Sequence, residues 1–187
     1  MIELDLEHIM ESAGVTDAST VLVIGVGNDF RGDDALGAHV ARELQSLNME
    51  GVSVLEMDGE GSTLIDAWQG HDRVILVDAF CSGVTAGLLR EFDVSIAEIP
   101  EHSCHSSSHA FGLAEAIGVA RRIGMLPKRM FVFGLEGENF GFGRRLSRTI
   151  REHTPELLEA IILRIRELQR EHVHEDHGSG QTGSLLP

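Results

Sequence analysis

A single α/β domain, built on a twisted, mixed but mostly parallel sheet with helices on both faces, is predicted by three features of this chain. Apolar runs at residues 21–24, 52–57 and 74–77 read as strands that do not alternate with polar residues, which suits burial on both faces of a parallel sheet. Between them lie stretches with apolar residues at helical spacing, and strands alternating with helices give a doubly wound layering. At 187 residues the chain is long enough for one well-buried core, and nothing in it signals a second.

Residues 1–19 are expected to form an irregular or short helical lead-in, residues 20–171 the domain, and residues 172–187, polar, Gly-rich and His-containing, a disordered tail. The first strand, 21–24, runs into a tight turn, Gly25-Val-Gly-Asn-Asp-Phe-Arg-Gly-Asp-Asp34. A helix over about 33–47 follows, with Ala35, Leu36, Val40, Leu44 and Leu47 on one stripe and Arg42 and Glu43 on the polar face. The second strand, 52–57, ends at Asp58-Gly-Glu-Gly61, and Ser62 is placed to cap a helix containing Leu64, Ile65, Ala67 and Trp68. The third strand, 74–77, closes at Asp78. Residues 87–92 suit an edge strand that can run antiparallel, and 130–133 another central one. Phe111, Leu113, Ala114, Ile117, Val119, Ala120 and Ile123 mark a helix over 111–123. A long C-terminal helix over 143–171 carries Leu157, Leu158, Ile161, Ile162, Ile165 and Leu168, with Pro155 tolerable near a first turn and otherwise a kink or restart.

Composition narrows the function classes. A formal net charge of -15 argues against phosphate contacts with nucleic acid. Two cysteines, Cys81 and Cys104, are too few for a disulfide scaffold or a four-cysteine metal site, so a reduced cytoplasmic setting is expected. The N-terminus lacks the basic and apolar blocks of a secretory signal, and no apolar run is long enough for membrane insertion. The sequence carries no signal for an oligomeric state.

The turn after the first strand resembles a dinucleotide fingerprint, whose glycines let a pyrophosphate approach a helix N-terminus. Asp29, Asp33 and Asp34 surround that helix mouth and would repel the ligand, and Gly32 lies five residues after Gly27, out of place for the third glycine. A cation or a polarised peptide suits the acids better. Ligands of an open parallel sheet collect at the carboxyl ends of its strands, where Asp34, Asp58 and Asp78 converge. The stretch His102-Ser-Cys-His-Ser-Ser-Ser-His109 can bring an imidazole to the same rim.

Two carboxylates and a histidine suit nickel, zinc, manganese or iron, or a general-base site. Each residue also has a plainer reading: Asp34 as a helix-dipole partner, Asp58 as a turn residue bonding its own backbone, His109 as a packing residue near a cap from Ser107 or Ser108. Asp78, after a buried strand, needs a partner or a proton. Cys104 beside His105 does not give the geometry of a thiolate and its base by adjacency alone.

Taken together, Gly25-Val-Gly-Asn-Asp-Phe-Arg-Gly-Asp-Asp-Ala-Leu-Gly37, Asp58-Gly, Val77-Asp-Ala, Ser108-His-Ala-Phe-Gly-Leu-Ala114 and Phe133-Gly-Leu-Glu-Gly-Glu-Asn139 resemble the hydrogenase maturation protease family in order and spacing, over about residues 20–168. The resemblance implies an endopeptidase that removes a C-terminal extension from the large-subunit precursor of a nickel-iron hydrogenase. It implies that Asp34, Asp78 and His109 contact nickel, which the substrate supplies. Asp34 is the shorter of the two acids found at its family position, and Ala35 stands where many relatives have Gly. Asp58, Glu136 and Asn139, with Glu138, are expected to orient ligands or line the cleft. A non-catalytic nickel-binding maturation chaperone would use the same three ligands.

Overall fold

The computed structural model describes residues 20–98, 112–143 and 145–178, with side chains through residue 171. Among these residues one five-stranded sheet runs in the order β2-β1-β3-β5-β4. Its strands are β1 (Val21–Val26), β2 (Val52–Met57), β3 (Arg73–Phe80), β4 (Leu89–Asp93) and β5 (Arg129–Glu136). β2, β1, β3 and β5 are parallel, and β4 pairs antiparallel with β5 at the edge. The helices are α1 (Leu36–Ser46), α2 (Gly61–Trp68), α3 (Leu113–Ile123) and α4 (Arg148–Gly178).

Successive strand residues point to opposite faces, so the sheet feeds two cores. Val21, Val23, Ile75, Val77, Phe131 and Phe133 pack beneath α1 and α4 through Leu36, Val40, Leu44, Leu157, Ile161 and Ile165. Leu22, Ile24, Val74, Leu76, Met130 and Val132 pack beneath α2 and α3 through Leu64, Trp68, Ala116, Ile117 and Ala120. Trp68 also donates its indole N–H to the Met125 carbonyl (3.2 Å), fastening α2 to the loop after α3. β1 and β3 are buried along their whole length, whereas β2 is part-exposed because it forms the other sheet edge.

Several boundaries differ from those read in the sequence, each for a local reason. The helix expected from residue 33 begins as a 3-10 turn, Gly32–Ala35, before α1. α2 is capped by Glu60, whose carboxylate accepts from the amides of Ser62 (3.3 Å) and Thr63 (3.1 Å); an acid at this position takes the role expected of Ser62. α4 starts at Arg148, where the Ser147 hydroxyl accepts the Ile150 amide (3.2 Å), and continues to Gly178. Pro155 therefore lies inside the helix. An interior proline, through its lost hydrogen bond and the clash of its ring with the preceding turn, costs about 3 kcal/mol, and Leu157, Ile161, Ile165 and Leu168, all fully buried, offset it.

Close approaches set α1 on the sheet. A Cβ on Gly37 would lie 2.1 Å from the Val26 carbonyl oxygen and 2.4 Å from that of Val77, so this helix start sits astride the ends of β1 and β3. Only a residue without a side chain allows that seat.

A candidate acid site at the strand ends

The chain runs from β1 outward to β2, then crosses back to place β3 on the other side of β1. The order of strands thus reverses between β1 and β3, and such a switch point opens a crevice at the strands' carboxyl ends. Gly25 of β1 stands opposite Val77 of β3, and Asp78 is the next residue along. Asp78 lies inside β3 rather than closing it, because the strand continues to Phe80 against β5. Its carboxylate is 5% exposed and accepts the Ala79 amide (2.7 Å). Asp34, in the 3-10 turn above the same strand ends, is 7% exposed. Burial first, and the like charge of Asp34 second, push the Asp78 carboxyl well above the ordinary carboxylate range.

The paired acids of the turn divide their work. Asp33 is fully buried and turned away from the crevice: its carboxylate accepts the amides of Glu138 (2.9 Å), Asn139 (2.9 Å) and Ser147 (2.6 Å). Its own amide donates to the Asn139 carbonyl (2.7 Å). The turn after β1 is thereby strapped to the loop between β5 and α4. The third acid, Asp29, is bound by the Arg42 guanidinium, which also reaches Glu56 (2.6 Å). Asp34 is the member of the trio that lies beside Asp78.

The other candidates take structural positions around it. Asp58 is exposed at the end of β2, where its carboxylate accepts the Glu60 amide (3.2 Å), the bond expected of a turn residue. Glu136, at the end of β5, has a fully buried side chain whose Oε1 accepts the amides of Ser82 and Gly83. Its Oε2 faces Arg90 at 3.9 Å. Glu136 thus holds the loop that leaves β3. Asn139 is half-buried, serves Asp33 through its backbone, and accepts the Gly141 amide at its side chain (3.2 Å). Partial burial, then the Glu136 carboxylate, push the Cys81 thiol up, away from a nucleophile's range.

His109, His102, His105, Cys104, Ser107, Ser108 and Phe111 lie outside the described residues. The helix they precede has a defined direction. The Arg121 guanidinium bonds the carbonyls of Val94 and Ala97, and the Val94 amide donates to Met130 near the amino end of β5. The far end of α3, at Leu113, therefore points toward the carboxyl ends of the strands. Asp33 and Gly37 escaped the sequence reading as positioning residues. Their signals were an adjacent pair of acids with only one needed at the rim, and a glycine inside a helical stripe.

Helices on both faces of a parallel sheet, with an acid pair at its switch point, define a doubly wound α/β protein with a polar crevice above β1 and β3. A family model described as hydrogenase maturation protease matches residues 38–164. The hydrogenase 2 maturation protease of Escherichia coli (strain K12) is 26% identical over 167 residues, covering 83% of this chain and 99% of that protein. The crystal structure of a [NiFe] hydrogenase maturation protease HycI from Thermococcus kodakarensis KOD1 shares 27% identity, with a TM-score of 0.60 over 87% of this chain and 99% of that one. The hydrogenase maturating endopeptidase HybD from E. coli has the same fold, with a TM-score of 0.62 at 24% identity over 79% of this chain and 93% of that one. The chain belongs to the hydrogenase maturation protease family, a family of peptide-bond hydrolases.

Proposed function

We propose that this protein is the endopeptidase that removes a C-terminal extension from a nickel-loaded large-subunit precursor of a nickel-iron hydrogenase, and that Asp34, Asp78 and His109 contact the precursor's nickel. The observation that carries the reading is the buried acid pair at the β1/β3 switch point. A buried carboxyl whose proton affinity is raised by a neighbouring carboxylate, as that of Asp78 is by Asp34, forms with it a site that a cation relieves. Carboxylates with a histidine suit a borderline divalent metal. The nickel is the substrate's own cargo and supplies Lewis-acid character.

Burial and then the neighbouring Asp34 charge disfavour ionisation of Asp78. Asp34 is accordingly assigned to orient and activate the attacking water, and Asp78 to hold the site's proton until a cation docks. Asp58, Glu136 and Asn139 are assigned to shaping the surrounding loops that receive the extension. With two cysteines in the chain, the reading locates the protein in the cytoplasm.

Mass spectrometry of a large-subunit precursor, incubated with and without nickel, tests this. The expected result is nickel-dependent loss of a C-terminal peptide with the wild-type protein, reduced by at least about 100-fold in Asp34→Ala, Asp78→Ala and His109→Ala, the loss typical of a removed acid-base group. Nickel-dependent binding with no change in mass would point to a maturation chaperone instead.

A further inference from the structure

An open apolar groove runs between the end of α1 and the solvent side of α4. Leu158 and Ile162 of α4 line it and pack against the core beneath, and Leu47, just past α1, lines it with Pro155 and Leu163. Leu47 is 52% exposed and Leu163 is 53% exposed. The depression continues along α4 past Arg166 to Gln169 and Arg170. Its rim carries Glu43 and Glu159 as well as Arg166 and Arg170, so charge does not select an occupant. Position does. Gln169 donates its side-chain amide to the Glu50 carbonyl (2.8 Å), and the carbonyl of the next residue, Gly51, accepts the Val21 amide (3.0 Å) at the start of β1. Two hydrogen bonds thus link one end of the groove to the point where residues 1–19 join the domain.

Residues 1–19 divide by composition. Ile2, Leu4, Leu6, Ile9 and Met10 fall in the first ten, whereas residues 11–19 are small or polar apart from Val15. The second part reaches up to about 30 Å when extended, and α4 from Pro155 to Gln169 is about 21 Å long, so the first part can lie anywhere along the groove. Contiguous apolar surface with a polar rim marks a contact site. A segment tethered beside such a surface is present at roughly millimolar effective concentration, which a free partner or a second copy does not match. We infer that residues 1–10 dock in the groove between α1 and α4, their apolar side chains covering Leu47, Leu158, Ile162 and Leu163. Glu3, Asp5 and Glu7, which alternate with Ile2, Leu4 and Leu6, stay in solvent. The docked segment straps α1 to α4 from outside, and the inference is independent of the protease reading.

Thermal melting of the full chain in a double-mutant cycle tests the inference. Leu6→Ser/Ile9→Ser alters the segment, and Leu47→Ser/Leu163→Ser alters the groove at two exposed positions that the core does not need. Each pair is expected to lower Tm by about 2–4 °C. All four substitutions together should lower it no further than the groove pair alone, because either pair already releases the segment. The cycle cancels any helix propensity lost at Leu47 and Leu163, since that loss appears with and without the segment changes. Losses that add, or a segment pair that melts with the wild type, overturn the docking. Sedimentation of the same proteins tests the rival occupant. A monomeric wild type is expected; a wild type that dimerises and a groove pair that does not would put a second copy in the groove and overturn the inference as well.

Discussion

Asp78 is a carboxyl group placed where its own charge is unwelcome. Its ordinary value of 3.8 applies in the unfolded chain, whereas burial and then Asp34 raise it in the folded one. Between those values the folded state holds the extra proton, so this group's contribution to stability falls as pH rises above the ordinary carboxylate range. Asp78→Asn keeps the acceptor for the Ala79 amide and removes the charge. Its Tm is expected to exceed wild type by about 2–4 °C at pH 7.5, the shift that roughly 1 kcal/mol produces in a chain of this size. The difference should close near pH 4, and calorimetry at the two pH values checks it. Asp33 serves the fold through its hydrogen bonds. Asp33→Ala leaves three backbone amides without their acceptor and should cost about 3 kcal/mol or more in urea unfolding, with Asp33→Asn intermediate. The sequence showed both acids at a helix mouth. It could not show which faced the crevice, because the partners of Asp33 come from a loop more than a hundred residues away. Nor could the sequence show that the Glu136 carboxylate accepts the amides of Ser82 and Gly83 from the loop after β3.

The seat of α1 on the sheet depends on a missing side chain. Gly37→Ala drives a methyl group into the carbonyls of Val26 and Val77, and the helix must lift from both strands at once. A loss of about 1–3 kcal/mol or more is expected, together with slower processing, since the turn bearing Asp34 leads directly into this helix. Gly118 in α3 makes the contrast: a Cβ there meets nothing within 4 Å, and Gly118→Ala should gain roughly 0.5–1 kcal/mol. Chemical denaturation of the two variants measures both. Strands and helices were legible in order and type, because buried strands and one-sided helices leave strong apolar patterns. Their ends were less so. The cap of α2, the 3-10 start before α1 and the extension of β3 to Phe80 depend on neighbours that periodicity does not register.

At the scale of the molecule, the last fully buried side chain among those described in α4 is Leu168, and Glu171 pairs with Arg129 (3.2 Å) at the amino end of β5. A chain ending after Glu171 keeps all of the described side-chain packing and should melt within about 2 °C of the full chain, the size of a surface change. One ending after Arg164 loses Ile165 and Leu168 and should lose at least about 3 kcal/mol. Melting of the two truncations places the domain's end. The layering was legible from alternating strand and helix patterns, and the crevice followed from the rule for open sheets, but the sequence did not specify strand order. That order has a temporal consequence. Asp34, in the 3-10 turn after β1, and Asp78, in β3, are separated by an entire α-β-α excursion, and no hairpin or local helix can bring them together. The pair comes into being only when β3 zips alongside β1, a long-range step that comes slowly in folding. If the acid pair acts as proposed above, a half-made or loosened chain has nothing with which to cut its neighbours, so cutting power is acquired late in the life of the molecule and surrendered early when the domain comes apart.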